Sequence, residues 1–298
     1  MSDFDFRGLS AFPLTPTTET GIDGRAVAAQ VERAVAAGVD SIGALGSTGG
    51  YAYLEREERR RVARMVVQAA GGTPVMVGVG ALRTREVLCL AEDAQAEGAS
   101  AVLLAPVSYQ RLTDEEAYGL YEDVSRVASV PVCVYDNPGT TGFTFSDDLY
   151  AAVTRLPNIA AVKIPPAPVG DAAERITTLR AALAPGTVLG VSGDWFAAPA
   201  LNAGADAWFS AAAGLFPEPA VAITRAARAG AADEATALSE RLEPLWALFR
   251  KHGSLRVVAT ASELIGTTTS PSLPRPLRTL QGEARAAVEE TLQALNLQ

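Results

Sequence analysis

Lys163 is the residue of this sequence whose type and setting most clearly predict chemistry. It lies in the apolar run Ile159–Ile164, whereas the second lysine, Lys251, lies in the polar stretch FRKHG. An amine among apolar side chains is poorly solvated, so its pKa should fall and a neutral nucleophile should form near neutral pH. Such an amine attacks a carbonyl carbon and forms a Schiff base, which then acts as an electron sink. A salt bridge to Asp136 or Asp194 is the alternative role for this lysine.

Hydroxyl groups end other apolar runs of the chain. Tyr135 ends the run before that of Lys163, and Ser47 and Thr48 lie in the loop GSTGG at 46–50. A phenol beside a Schiff-base lysine can move protons while the carbinolamine forms and collapses. The backbone N–H groups of a glycine-rich loop, together with two hydroxyls, suit a carboxylate. These residues predict a carboxylate-binding loop and a proton-transferring phenol near the amine, and a packing role for the Tyr135 ring is the alternative.

The composition excludes several other kinds of site. Among its 298 residues the chain has one histidine, His252, and two cysteines, Cys89 and Cys133, which we predict to be buried free thiols. That inventory is too small for a zinc site, so no metal is predicted. The formal net charge of −9 disfavours nucleic acid and anionic membranes as partners. An acidic N-terminus and the lack of a membrane-length apolar run predict a cytoplasmic protein.

Short apolar runs alternate with amphipathic segments along the chain, which predicts βα units and a parallel sheet. Eight such runs predict closure into a (β/α)8 barrel, the α/β fold called a TIM barrel, and an open doubly wound sheet is the alternative. The predicted strands are Gly8–Thr15, Ser41–Gly46, Pro74–Gly80, Ala101–Val107, Pro131–Asn137, Ile159–Ile164, Val188–Ser192 and Ala207–Ala212. The predicted helices between them are Asp23–Ala37, Glu55–Ala70, Thr84–Glu97, Thr113–Ala128, Ser146–Arg155, Gly170–Leu183 and Trp195–Ala203.

The end of the chain is predicted to be almost entirely helical. The predicted helices are Pro217–Ala229, Ala232–His252, Leu255–Leu264 and Glu283–Leu295. This is more helix than one barrel unit needs. We therefore predict a barrel domain at 1–225 and a C-terminal helical extension at 226–298, packed on the barrel.

In such barrels the active site lies at the carboxyl ends of the strands. Polar residues at those ends are therefore the candidates for substrate contact. The predicted substrate-binding residues are Ser47, Thr48, Asn137, Thr140, Ser192 and Ser210.

Several motifs, taken in order, resemble the dihydrodipicolinate synthase / N-acetylneuraminate lyase family. They are GSTGG at 46–50, YDNPGTTG at 135–142, the lysine after Val162, and SGD at 192–194, and the resemblance runs from about Leu9 to about Pro219. It implies a class I aldolase or dehydratase on a TIM barrel, with Lys163 as the Schiff-base lysine. It also implies that Tyr135 and Thr48 relay protons and that Ser47 and Thr48 bind the pyruvyl carboxylate. No metal or organic cofactor is implied, and the implied assembly is a homotetramer or homodimer.

Departures from the family pattern predict a divergent member. Gly50 stands where the family commonly has glutamate, and Ile164 is followed by two prolines. Thr140 stands where the lysine-pathway dihydrodipicolinate synthase has an arginine for a second carboxylate. We therefore predict a lyase that acts on pyruvate or a 2-oxo-3-deoxy acid, with an aldehyde as second substrate, rather than that synthase. A non-catalytic barrel that binds a 2-oxo acid, a sensor or degenerate paralogue, is the alternative function.

Overall fold

Parallel strands form the centre of the fold, as a computed structural model shows for residues 4–18 and 21–297. Within these residues eight strands close into a barrel, so the predicted TIM barrel is confirmed. Strand β1 pairs with both β2 and β8, which closes the sheet. The strands are β1 Gly8–Ala11, β2 Ser41–Ala44, β3 Val75–Gly78, β4 Ala101–Leu104, β5 Val132–Tyr135, β6 Ile159–Ile164, β7 Val188–Val191 and β8 Ala207–Ser210.

Helices follow the strands and cover the outside of the barrel. Their starts follow local capping chemistry: Thr113 and Glu116 form the capping box that their spacing predicts, and the Asp23 carboxylate accepts the N–H of Ala26 at 3.0 Å. The barrel helices are α1 Gly24–Ala36, α2 Arg56–Ala69, α3 Thr84–Ala96, α4 Asp114–Val127, α5 Asp147–Val153, α6 Ala172–Ala182, α7 Ala197–Asn202 and α8 Pro217–Arg228.

The core has two parts because side chains alternate between the two faces of each strand. Outward-facing residues pack against the helices, and inward-facing residues fill the barrel. Both parts are apolar, which is why the strands read as nearly continuous apolar runs. The inward-facing set includes Phe6, Phe12, Met76, Leu103, Cys133, Tyr135, Ala161, Val188, Ala207 and Phe209. Near the carboxyl ends of the strands this set turns polar, and the site lies there.

The C-terminal region differs from the prediction at one point. It contains α9 Ala232–Arg241, α10 Glu243–His252, α11 Ser254–Leu264 and α12 Gly282–Leu295, so the single helix predicted at Ala232–His252 is two helices. The break at Leu242 follows from Pro244, which lacks an N–H and whose ring displaces the carbonyl four residues earlier. No helix in the described part of the chain combines the length and apolar character needed to cross a membrane.

The predicted boundary between residues 225 and 226 falls within α8. This helix belongs to the eighth βα unit, and it also packs on α9 of the C-terminal region. The division into a barrel at 1–225 and an extension at 226–298 stays a prediction.

Candidate active site

Lys163 lies inside the barrel near the carboxyl end of β6. It pairs in register with Tyr135 on β5 and with Gly190 on β7. Ala161, two residues earlier, faces the barrel interior, and the alternation of a strand places Lys163 on the same face. The side chain is 4% exposed. The adjacency of Lys163 and Tyr135 predicted from consecutive strands is therefore present.

Aromatic rings surround the Lys163 amine. Its Nζ lies 3.9 Å from the centroid of the Tyr135 ring and 4.1 Å from that of Phe12. Phe209 is further away, at 5.9 Å. Gly190 makes room for Phe209, since a Cβ there would come within 2.2 Å of the ring. Ring faces attract an ammonium but supply no hydrogen-bond acceptor as strong as water, so solvation of the charged amine stays poor.

Burial lowers the pKa of Lys163 to about 7, although nearby Cys133 and Asp194 favour the charged form. Lys163 forms no ion pair with any residue in the ranges 4–18 and 21–297, so the alternative salt bridge to Asp136 or Asp194 is not formed. A large fraction of the molecules therefore carries a neutral, nucleophilic amine near pH 7.

Three side chains form a closed hydrogen-bonded triangle next to the amine. Ser47 Oγ and Tyr135 Oη are 3.2 Å apart. The Asn137 side-chain amide donates to Tyr135 Oη at 2.8 Å and to Ser47 Oγ at 3.1 Å. Burial raises the pKa of Tyr135 to about 12, and the hydrogen bonds from Ser47 and Asn137 oppose that rise. The phenol is therefore protonated at neutral pH and is held in one orientation.

The loop after β2 supplies further polar groups. Ser47 and Thr48 lie in a turn closed by a hydrogen bond from the Gly50 amide to the Ser47 carbonyl at 3.1 Å. Gly50 has a φ of 63°, which a glycine adopts without strain, so the turn itself accounts for the glycine at this position. Thr48 is 7% exposed. The backbone amides of Thr48 and Gly49 donate to no acceptor in the described residues, and they remain available to an anion.

Two predicted contact residues are already occupied by hydrogen bonds within the barrel wall. Ser192 Oγ donates to the Ile164 carbonyl at 2.8 Å. Ser210 is fully buried, and its hydroxyl donates to Asp194 while accepting the Ala213 amide at 2.9 Å. Their contact with a substrate stays a prediction, and in this structure both hydroxyls hold neighbouring chain segments together.

Asp194 is buried and is held in place by hydrogen bonds from Ser210 and from the Ala212 amide, the latter at 3.3 Å. Burial raises its pKa, while the hydrogen bonds and the charge of Lys163 favour the carboxylate. In its ionised form Asp194 favours the charged form of the Lys163 amine, and the two groups form no ion pair.

Thr140 lies at the rim of the site, on the one-turn helix Pro138–Thr141 that follows β5. It is exposed, and its hydroxyl reaches the Asn137 carbonyl at 3.3 Å. Thr140 is thus separate from the buried triangle, and its predicted substrate contact would be with the outer part of a ligand.

Asp136 faces away from the site although it is adjacent to Tyr135 in the chain. Its carboxylate accepts the Tyr150 hydroxyl of α5 at 2.7 Å, on the outside of the barrel. Burial raises the pKa of Asp136 to about 6. Alternation along the strand accounts for this placement, because Tyr135 points inward and the next side chain must point outward.

Two site residues were missed by the sequence reasoning. Phe12 forms part of the wall around the amine, and a Cβ at Gly43 or Gly46 would collide with its ring. Tyr51 is 8% exposed, and burial, with a contribution from Tyr135, raises its pKa to about 12. Phe12 lies within the predicted strand Gly8–Thr15, but in the structure β1 ends at Ala11 and Phe12 directly follows it, at the carboxyl end where the site lies.

These elements define a class: a (β/α)8 barrel with a buried lysine and a cluster of hydroxyls at the carboxyl ends of its strands. The sequence profile of the Dihydrodipicolinate synthetase family matches residues 5–295. The chain is 33% identical over 236 residues to the 4-hydroxy-tetrahydrodipicolinate synthase of Methylococcus capsulatus, which covers 79% of each protein. The chain therefore belongs to the dihydrodipicolinate synthetase family, whose members are lyases, as its motifs predicted.

Solved structures agree with this assignment. Dihydrodipicolinate synthase from Agrobacterium tumefaciens is 48% identical, with a TM-score of 0.94 over 97% of this chain and 98% of that one. The chloride-inhibited dihydrodipicolinate synthase from Acinetobacter baumannii, complexed with pyruvate, is 26% identical, with a TM-score of 0.91 over 99% of this chain and 100% of that one.

Proposed function

We propose that this protein is a lyase that forms a Schiff base between Lys163 and pyruvate or a 2-oxo-3-deoxy acid. The observation that carries the proposal is the buried Lys163 amine, whose pKa is lowered to about 7 and which forms no ion pair with any described residue. Burying an unpaired lysine destabilises the folded protein. Schiff-base formation requires the neutral amine, which this burial favours.

The Lys163 Nζ attacks the carbonyl carbon of the 2-oxo acid, and the carbonyl oxygen takes up a proton to give a carbinolamine. Loss of that hydroxyl as water gives the iminium. Tyr135 stands beside Nζ and carries its proton at neutral pH, so it can give a proton to the leaving oxygen and recover one afterwards. We assign the second proton-relay role to Thr48 on the family resemblance alone, whereas the hydroxyl that is hydrogen-bonded to Tyr135 Oη is that of Ser47.

Loss of a proton from the carbon next to the iminium gives an enamine. The enamine adds to an aldehyde and forms a C–C bond, and the reverse sequence cleaves one. Loss of a hydroxyl from a hydroxylated 2-oxo acid, as water, is the dehydratase variant. Hydrolysis of the product iminium frees Lys163 in every case.

The carboxylate of the 2-oxo acid would bind at the turn after β2. The free amides of Thr48 and Gly49 can donate to it, and the hydroxyls of Ser47 and Thr48 lie in the same turn. This arrangement would aim the carbonyl carbon at Nζ, because Ser47 is hydrogen-bonded to Tyr135 and Tyr135 packs on the amine.

The rim of the site suggests a second substrate with hydroxyl groups. Thr140 is exposed there, at the position of an arginine in the lysine-pathway synthase.

A relative solved with pyruvate supports a 2-oxo acid as the first substrate. We propose that the enzyme needs no metal or organic cofactor and works as a cytoplasmic homotetramer or homodimer.

Turnover on a substrate panel tests the proposal. Pyruvate with a set of aldehydes, and separately a set of 2-oxo-3-deoxy acids, would be followed by NMR with the native protein and with Lys163→Met. Lys251→Met, at the exposed end of α10, is the matched control. We expect turnover in the native protein and the control only. Turnover by Lys163→Met would overturn the mechanism, and covalent trapping without any turnover would favour the non-catalytic binder.

A further inference from the structure

The side-chain nitrogen of Asn137 is used within the protein rather than left free for a ligand. This Nδ2 atom donates to Tyr135 Oη at 2.8 Å and to Ser47 Oγ at 3.1 Å. A primary amide nitrogen carries two N–H groups and accepts nothing, so both of its donors are used inside the triangle.

The backbone of Asn137 is fixed as firmly as its side chain. The residue directly follows β5 and caps the one-turn helix Pro138–Thr141. Its carbonyl accepts the amides of Thr140 and Thr141, each at 3.0 Å, and the Thr141 hydroxyl, also at 3.0 Å. The amide group is therefore presented to Tyr135 by a pre-organised segment of chain, and little reorganisation is needed during reaction.

From this geometry we propose that Asn137 is a positioning residue, which orients the Tyr135 hydroxyl and stabilises the phenolate formed when Tyr135 gives up its proton. The inference rests on the proposed Schiff-base function, and it replaces substrate contact as the role of Asn137.

The hydrogen bond that the Asn137 amide donates to Tyr135 explains how Asn137 would speed the loss of water from the carbinolamine. With the amide donating to Oη, the phenol keeps its own proton for Ser47 or for the reacting oxygen. When that proton moves to the carbinolamine hydroxyl, water leaves and the negative charge develops on Oη, where the N–H group already points. A hydrogen bond to an ionised acceptor is stronger than one to a neutral phenol, so Asn137 stabilises the transition state more than the ground state.

Asn137→Asp tests this role because it keeps the shape and replaces the donors with an ionised acceptor. Asn137→Leu removes the polar group without adding a charge. Asn202→Asp, on the exposed end of α7, is the matched control for the chemical change. Each protein would be mixed with pyruvate, quenched with borohydride after increasing times, and measured by intact mass, with circular dichroism to verify folding.

We expect both Asn137 variants to reach the native extent of trapping at a rate lower by roughly 10- to 100-fold, at an unchanged half-saturating pyruvate concentration. The control should trap at the native rate. A native trapping rate in Asn137→Asp would overturn the inference, and so would a native rate at saturation with a half-saturating concentration raised tenfold, which indicates substrate contact. If the native protein is not trapped by pyruvate, the same series is run with a 2-oxo-3-deoxy acid, and absence of trapping with both would overturn the proposed function and this inference with it.

Discussion

Replacing Lys163 with methionine should make the protein more stable. Burial lowers the lysine pKa from 10.5 to about 7. At about 1.4 kcal/mol per tenfold change in a proton equilibrium, holding the charged amine costs on the order of 4–5 kcal/mol. Methionine has a similar length and no charge. Relaxation of the site reduces the cost that a mutation recovers, so we expect the free energy of unfolding at pH 7 to rise by about 2–4 kcal/mol.

The gain should depend on pH in a defined direction. Between pH 7 and 10.5 the unfolded chain keeps the lysine proton and the folded protein loses it. The unfolded state then binds more protons, so the stability of the native sequence rises with pH while that of Lys163→Met does not change for this reason. The difference between the two proteins should be largest at and below pH 7 and should fall by more than half at pH 9.5.

Urea unfolding at pH 7 and pH 9.5, at one fixed protein concentration, measures both quantities. Lys251→Met is the control, because that lysine is exposed and its replacement should leave stability nearly unchanged. A Lys163→Met protein that is no more stable than the native one at pH 7 would refute the claim that burial strains this amine. A stability gain of Lys163→Met that stays constant with pH would show that the gain does not come from the proton equilibrium of Lys163.

Three further predictions concern the site and its supports. The rate of imine formation with pyruvate, measured by borohydride quenching, should rise with pH through about 7 as Lys163 loses its proton; a rate that is flat between pH 5.5 and 8.5 would contradict this. Burial raises the pKa of Asp136 to about 6. Between about pH 4 and 6 the folded state therefore keeps a proton on Asp136 that the unfolded state has lost, so the stability of the native protein should fall as the pH rises through this range. Asp136→Asn should therefore be more stable by about 1–2 kcal/mol above pH 6 and equal near pH 4, as judged by urea unfolding. Gly214→Ala should destabilise the protein by about 2 kcal/mol or more, because its Cβ would lie 2.4 Å from the Phe12 carbonyl oxygen. Gly119→Ala, with open space in α4, should instead add about 0.5–1 kcal/mol, and thermal unfolding compares the two.

Much of the barrel could be predicted because each strand is buried on both faces. The run around Val132 is apolar throughout, so its centre was placed correctly, and the capping box at Thr113 marked the start of α4. Most strands were predicted too long, as Pro131–Asn137 is Val132–Tyr135 in the structure, whereas Ile159–Ile164 was predicted correctly at both ends. A strand ends where its neighbour stops offering hydrogen bonds, and that is a property of the pair rather than of the local sequence.

The site was partly predictable from the order of the strands in the barrel. Lys163 and Tyr135 lie at the ends of consecutive strands, and consecutive strands are neighbours in a barrel. The outward placement of Asp136 also follows from alternation after Tyr135. The hydrogen bonds from Asn137 to Ser47 and from Ser210 to Asp194 could not be predicted, because each joins segments that only the fold brings together.

Reductive trapping with pyruvate tests directly whether Lys163 forms a Schiff base. The protein would be incubated with pyruvate and borohydride, measured as an intact mass and then mapped by peptide fragmentation, beside Lys163→Met and Lys251→Met. We expect a single reduced pyruvyl group on Lys163 in the native protein and in Lys251→Met, and none in Lys163→Met. An adduct on another residue, or a Lys163 left unmodified by both saturating pyruvate and a 2-oxo-3-deoxy acid, would contradict the Schiff-base role of Lys163.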